Sequence, residues 1–250
     1  MSLTILKCKN IHKSFYSRNI EKKVLDGVDF EINQGEISSI FGYSGAGKTT
    51  LLSIIAGVIK QDKGNIIFQG ENIDNLEPFE RHISLVMDEP LLFPRMNVEK
   101  NIAFGMKLLR NKSENTYQNI EKHIKELMEM LDITGIEKRM PDEISMGQAQ
   151  RVSIARALAI KPKILLMDEP FSNLDIVSKN RIRNLLKTIQ LKINITILLV
   201  THDIDDIINL SDTLFILKNG KIYQQGNPKN ILKDLNMEQI DKLLKDQDKD

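Results

Sequence analysis

The sequence predicts an α/β fold: a mostly parallel sheet with helices on both faces, an antiparallel β part at the N-terminus, and an all-helical subdomain inserted. Three observations predict it. Residues 36–59 run from an apolar strand through a Gly-rich turn into a helix, the unit from which parallel sheets are wound. Residues 164–167 (ILLM) and 195–200 (ITILLV) are apolar at nearly every position, as strands buried on both faces require. Between about 98 and 160 the apolar spacing is helical and no strand pattern interrupts it.

The elements follow in order. Thr4 to Lys9, Val28 to Ile32 and Glu36 to Phe41 alternate as strands. Residues 42–47 break the third, and Lys48 to Ile59 reads as a helix. Short apolar runs return at Ile66 to Phe68 and Ile83 to Met87. Ile120, Ile124, Leu127, Met128 and Leu131 share one helical face. After Ile164 to Met167 and Ile195 to Val200, a pair of strands, Thr213 to Leu217 and Lys221 to Gln224, is joined through Asn219-Gly220, a hairpin dipeptide. From about Asn227 the chain reads as helical and closes on the charged run KDQDKD. The expected organisation is one domain over 1–235, its α/β core formed by 1–88 and 161–235 and its helical subdomain by about 89–160; 236–250 is a short charged helical tail with no regulatory domain.

The composition, 250 residues with 41% hydrophobic and 28% charged, is that of an ordinary globular domain. A net charge of +1 gives no basic excess, so no nucleic-acid partner is expected. The lone cysteine, Cys8, allows neither an internal disulfide nor zinc-ligand spacing and reads as a small apolar residue on an edge strand in a reducing compartment. No run approaches the ~20 apolar residues that span a bilayer, and the N-terminus has no secretory pattern. Work at a membrane would therefore require docking on another protein.

Gly42-Tyr43-Ser44-Gly45-Ala46-Gly47-Lys48-Thr49 fits the phosphate-loop pattern G-x-x-x-x-G-K-[ST], followed by Thr50, between a strand and a helix as the pattern requires. Glycines let the backbone fold tightly enough to aim N–H groups at phosphate oxygens, and the helix N-terminus adds partial positive charge. Lys48 suits the β- and γ-phosphates and the Thr49 hydroxyl suits Mg²⁺. This places the core among the P-loop NTPases. Farther on, the buried strand at 164–167 delivers Asp168 and Glu169 to its C-terminal edge, where α/β sheets put their ligands. Asp168 is the candidate for the Mg²⁺ shell, and Glu169 for accepting a proton from, or orienting, an attacking water.

The succession of phosphate loop, Ser145-x-Gly147-Gln148, Asp168-Glu169, Ser172-Asn173-Leu174-Asp175 and Thr201-His202-Asp203 resembles the nucleotide-binding domain of ATP-binding-cassette (ABC) transporters over residues 4 to 225. The resemblance implies an ATPase whose two copies close head-to-tail around two ATP molecules. Ser145, Gly147 and Gln148 match the signature that reaches the partner's γ-phosphate. Asp175 matches the D-loop carboxylate, and His202 the switch histidine at the γ-phosphate. Phe15 sits where the family stacks an aromatic on adenine, with Tyr16 as the competitor. The implied cofactors are ATP and Mg²⁺. The implied partners are a second ATPase subunit, usually an identical chain, transmembrane permease subunits, and an extracytoplasmic substrate-binding protein. The implied location is cytoplasmic, on the inner face of the membrane through the permease. Leu92 to Val98, followed by Asn101-Ile102, resembles the importer branch, and residues 91–98 with the next helix are expected to form the groove for the permease's coupling helix.

Three positions depart from the family pattern. Asp88 stands where a glutamine is usual; it is either an additional metal ligand or a charge that slows hydrolysis, and in the second case the protein would be a nucleotide-dependent switch with little turnover. Met146 replaces the first signature glycine, which is tolerated unless that position needs a positive φ. Tyr43 replaces a frequent proline and is expected to point outward.

Overall fold

The computed structural model describes residues 3–17, 20–108 and 117–234. Ten strands form two sheets. The antiparallel sheet has the order β2-β1-β4-β5 and comprises β1 (Thr4–Ser17), β2 (Ile20–Asn33), β4 (Lys63–Phe68) and β5 (Glu71–Asn72). The second sheet has the order β10-β9-β3-β8-β7-β6, built from β3 (Ile37–Phe41), β6 (Ile83–Val86), β7 (Ile164–Asp168), β8 (Thr196–Thr201), β9 (Thr213–Lys218) and β10 (Lys221–Gly226). Its first five strands in chain order pair in parallel and only β10 is antiparallel, closing the Asn219-Gly220 hairpin.

The apolar runs read as two-sided strands are two-sided. In β7, Ile164 and Leu166 join one core cluster with Ile40, Leu198 and the residues of α1 (Lys48–Ala56), under the antiparallel sheet. Leu165 and Met167 join the opposite cluster, built with α2 (Val98–Leu108), α3 (Tyr117–Met130), α4 (Met146–Ala159) and α5 (Ile176–Ile193). A third, smaller cluster seats α6 (Ile204–Leu210) and α7 (Pro228–Asp234) against Phe41, Leu214 and Ile216. Burying strands on both faces fixes their register, because a one-residue slip would exchange the two clusters.

Several boundaries differ from expectation. β1 and β2 are each 14 residues long and pair nearly throughout, well past Lys9 and before Val28. Their outer halves carry Lys13, Ser14, Lys22 and Lys23, so the half-exposed ribbon lacks the apolar alternation that marks a strand. The helix expected to reach Ile59 stops at Ala56, because Gly57 adopts φ 83° and its N–H and that of Val58 close back on Ile54 O and Ser53 O. Cys8 is buried, but not on an edge: β1 lies between β2 and β4, pairing Cys8 with both Phe30 and Ile66. Burial pushes its thiol far up. Tyr43 does not point outward; it is partly buried and packs against the cluster beneath α1. The tail expected over 236–250 lies outside the described residues.

Candidate active site

The phosphate loop leaves β3 and enters α1 through two left-handed glycines, Gly45 (φ 89°) and Gly47 (φ 101°). Gly47 has a second constraint: a Cβ there would lie 2.8 Å from Leu25 Cδ2. Gly42 is held by space alone, since its Cβ would meet Leu217 O at 2.5 Å. Gly47 caps α1 without a side-chain acceptor, so the first helical N–H groups face a cavity of about 350 Å³. That cavity is lined by Ser44, Gly45, Gly47, Lys48, Thr49 and Thr50, and also by Phe15 and Glu169. Ala46 is buried beneath it.

Lys48 is almost fully buried and donates to Gly42 O (2.9 Å) and Tyr43 O (3.0 Å), which strings its ammonium across the mouth of the loop. Burial holds its pKa below the usual lysine value, against the opposing pull of Glu169 and Asp168. Glu169 Oε1 is 3.9 Å from that ammonium, and Glu169 Oε2 is 2.8 Å from Nδ1 of His202, the first residue past β8. Glu169 itself sits at φ 44°, a left-handed conformation rare outside glycine, and its N–H donates to Val200 O at 2.9 Å. The chain turns sharply at the end of β7, and the turn aims the Glu169 carboxylate at the loop.

Asp168, only 5% exposed, ends β7 with its Oδ1 buried and, among the described residues, without a hydrogen-bond partner. Burial raises its pKa, the Thr49 hydroxyl bonded to the carboxylate works against that, and the charges of Glu169 and Asp88 add to the rise. A buried, unpartnered carboxylate oxygen beside a hydroxyl fits a hard cation that takes its remaining ligands from water and phosphate, as Mg²⁺ does. Among the described residues there is no cluster of three or more acidic, His or Cys side chains that could hold a metal ion. Asp88 is exposed and does not line the cavity.

Ser145, Gly147 and Gln148 do not line this cavity. They form the N-terminus of α4, where Ser145 Oγ accepts from Gln148 N (3.3 Å) and Ser145 N donates to Gln148 Oε1 (3.0 Å), a reciprocal cap. A Cβ on Gly147 would lie in tight contact with Ser178 on α5, 3.0 Å from its Oγ. Asp175 is the N-cap of α5, accepting from Ser178 N (2.9 Å) and Oγ (2.6 Å), and those hydrogen bonds hold its carboxyl below the usual range. The signature turn and the Asp175 turn are thus packed together, away from the loop of the same chain. Phe15, not Tyr16, faces the cavity, with the Lys13 ammonium 5.5 Å from its ring centroid.

The ABC transporter family pattern matches residues 25–172, more than half of the chain, from β2 through the phosphate loop to just past Glu169. The chain belongs to the ABC transporter family. Among relatives of this ABC protein, the spermidine/putrescine import ATP-binding protein PotA of Clostridioides difficile is 39% identical over 227 residues, covering 91% of this chain and 63% of its own length. The Fe(3+) ions import ATP-binding protein FbpC of Photobacterium profundum is 37% identical over 225 residues, covering 90% and 62%. The chain thus spans under two thirds of the length of these relatives. Among solved structures, cbiO1 from Clostridium perfringens, part of the ABC transporter complex cbiONQ, superposes with a TM-score of 0.82 at 29% identity over 95% of this chain and 92% of that one. The cassette MJ0796, in a dimeric post-hydrolysis state bound to ADP and Pi, superposes with a TM-score of 0.81 at 28% identity, over 90% and 99%. The fold is that of an ABC cassette.

Two further contacts of this cassette had no sequence signal beyond residue type. Lys22 and Val24 line the same cavity from β2. Gln150, buried on α4, donates to Met87 O (3.2 Å), tying the signature helix to the residue before Asp88. Met146 has no positive φ and its side chain is 50% exposed, so the methionine replaces the usual glycine without backbone strain.

Proposed function

We propose that the protein is the ATP-hydrolysing subunit of an ABC importer, acting as a dimer that closes around ATP and drives permease subunits. The observation that carries this is the position of Glu169, with one oxygen toward Lys48 and the other on His202 at the mouth of the phosphate cavity. ATP would lie with its phosphates on the loop N–H groups and Lys48, and its adenine on Phe15. Glu169 would accept the proton of the attacking water, and His202 would hold that carboxylate while its exposed ring meets the γ-phosphate. Mg²⁺, held by Thr49 and Asp168 together with substrate oxygens and water, would supply charge stabilisation on the phosphates. Ser145, Gly147, Gln148 and Asp175 lie outside the cavity of their own chain, which is where a site completed by a second cassette needs them. Two-fold closure gives each site the signature of its partner.

The importer assignment is supported by the names of PotA and FbpC, both import ATP-binding proteins. Among the described residues no helix is long and apolar enough to cross a membrane. The docking surface would be residues 91–98 with the following helix, α2. The loop backbone is braced from below: Asn101 accepts from Phe93 N (2.8 Å) and donates to Met96 O (2.8 Å), and Arg156 donates to Leu91 O (2.8 Å) and Pro90 O (3.1 Å). ATP turnover by the purified chain tests the reading: it should require Mg²⁺ and disappear in Glu169→Gln. Turnover that persists in that variant contradicts it.

A further inference from the structure

Beneath the His202 turn lies a buried polar network that the phosphate-site chemistry leaves unexplained. Asp206, on α6, is 2% exposed, and Arg183, on α5, is 9% exposed. Asp206 Oδ1 accepts from Arg183 Nε at 2.7 Å and also from Arg183 Nη2. Asp206 Oδ2 accepts from the Thr201 hydroxyl at 2.7 Å, and that hydroxyl accepts in turn from Asp203 N at 3.0 Å. Arg183 Nη2 also reaches Asp203 Oδ2 at 3.4 Å. The residues on both sides of His202 are therefore fixed to one carboxylate–guanidinium pair. On its other side the guanidinium carbon lies 5.9 Å from the ring centroid of Phe171, a fully buried residue two positions past Glu169. One arginine thus touches both segments that carry the Glu169–His202 contact.

A buried ion pair is a poor source of net stability, because desolvation offsets most of its attraction. What such a pair does well is fix geometry, and a planar guanidinium fixes more than a point charge can. We propose that Arg183 is a positioning residue of the hydrolytic site, acting through Asp206 to hold the His202 turn against Glu169. The proposal rests on the assignment of Glu169 and His202 as the hydrolytic pair. Arg183 does not line the phosphate cavity, so its removal should misplace the pair without weakening ATP binding.

The test uses the full chain with two changes. Arg183→Lys keeps the charge but loses the fork. The double variant Arg183→Met with Asp206→Leu removes both charges and leaves no lone buried ion, which guards against simple unfolding. The first readout is the ring NMR signal of His202 in nucleotide-free protein, assigned with His202→Ala. Glu169→Gln should move that signal, and both Arg183 variants should move it likewise, while the His12 and His123 signals stay in place. The second readout is steady-state hydrolysis: kcat should fall about 10- to 100-fold, as for a catalytic pair shifted by an ångström, with KM for ATP changed less than about twofold. Introduced into His202→Ala, Arg183→Lys should cost nothing further. An unmoved His202 signal in both variants overturns the proposal, as does an equal kcat loss with and without His202. The NMR comparison needs no turnover, so a chain that failed to hydrolyse ATP would sink the functional reading and still decide this one.

Discussion

Nδ1 of His202 lies 2.8 Å from Oε2 of Glu169, although the two residues follow different strands, β8 and β7. β7 and β8 are adjacent and parallel, pairing Asp168 with Val200, and the Glu169 N–H extends that ladder by one bond to Val200 O. The register of two core strands thus sets the distance between a candidate base and the histidine that orients it. Leu166 and Leu198 on one face and Met167 and Leu199 on the other lock that register in two separate clusters.

Because Glu169 touches the site only through its carboxylate, Glu169→Gln keeps shape and loses the proposed proton acceptor. Turnover should fall by about 10²- to 10⁴-fold, the usual range for a general base. ATP affinity should be retained, and with Mg²⁺-ATP the variant should accumulate as a dimer. Sedimentation with and without nucleotide checks this; a monomer with ATP bound would contradict the shared site.

Lys48 has its ammonium already desolvated and aimed by two loop carbonyls. Lys48→Ala should weaken ATP binding by roughly 10- to 100-fold, the loss of one charge-assisted contact of ~1.5–3 kcal/mol. Titration calorimetry would show it, and wild-type affinity would remove the phosphate-loop assignment.

Burial raises the Asp168 pKa. A group whose folded pKa is raised contributes stability that is present below its unfolded value, near 3.9, and lost as pH rises through the folded value. Without metal, the ionised carboxylate is therefore a liability at neutral pH. Asp168→Asn should raise metal-free stability at pH 7 by about 1–3 kcal/mol, the cost of one unsatisfied buried group. The gain should shrink as pH falls toward the carboxylate range, and turnover should be lost. Thermal unfolding at several pH values in chelator reads this; a variant less stable than wild type at pH 7 would count against it.

Gly147 has no positive φ, and a Cβ there would crowd Ser178, whose hydroxyl donates to Asp175 at 2.6 Å. Gly147→Ala should press on that hydroxyl and disturb the Asp175 cap, costing about 1–3 kcal/mol as overpacking does. ATP affinity should be unchanged and turnover reduced. Chemical denaturation alongside ATP titration separates the two effects.

Much of this was legible in the sequence because particular residues carry local rules. Gly42 to Thr49 announces its own turn, and ILLM before Asp168-Glu169 announces a two-sided strand ending in carboxylates. What was not legible depends on packing. The outer half of the β1–β2 ribbon is half-exposed, so Lys22 and Lys23 gave no alternation to read, and Lys22 lines the cavity at the phosphate loop unannounced. Helix α5 is rich in Lys, Arg and Asn, and the partner of Arg183 lies on another helix. Tyr43 was expected outside and is partly buried, packed against the core cluster that includes the residues of α1. Asp88 is the position where sequence pattern and geometry say least in common: exposed and outside the cavity, it is nevertheless close enough for its charge to raise Asp168.

The central claim is that two chains share each ATP site. Mg²⁺-dependent ATP hydrolysis by the purified chain, followed as a function of protein concentration beside Glu169→Gln, tests it most directly. Turnover per chain that rises with concentration and vanishes in the variant is the expected result. Turnover per chain that stays constant from dilute to concentrated protein, in a sample that remains monomeric with ATP bound, would contradict it.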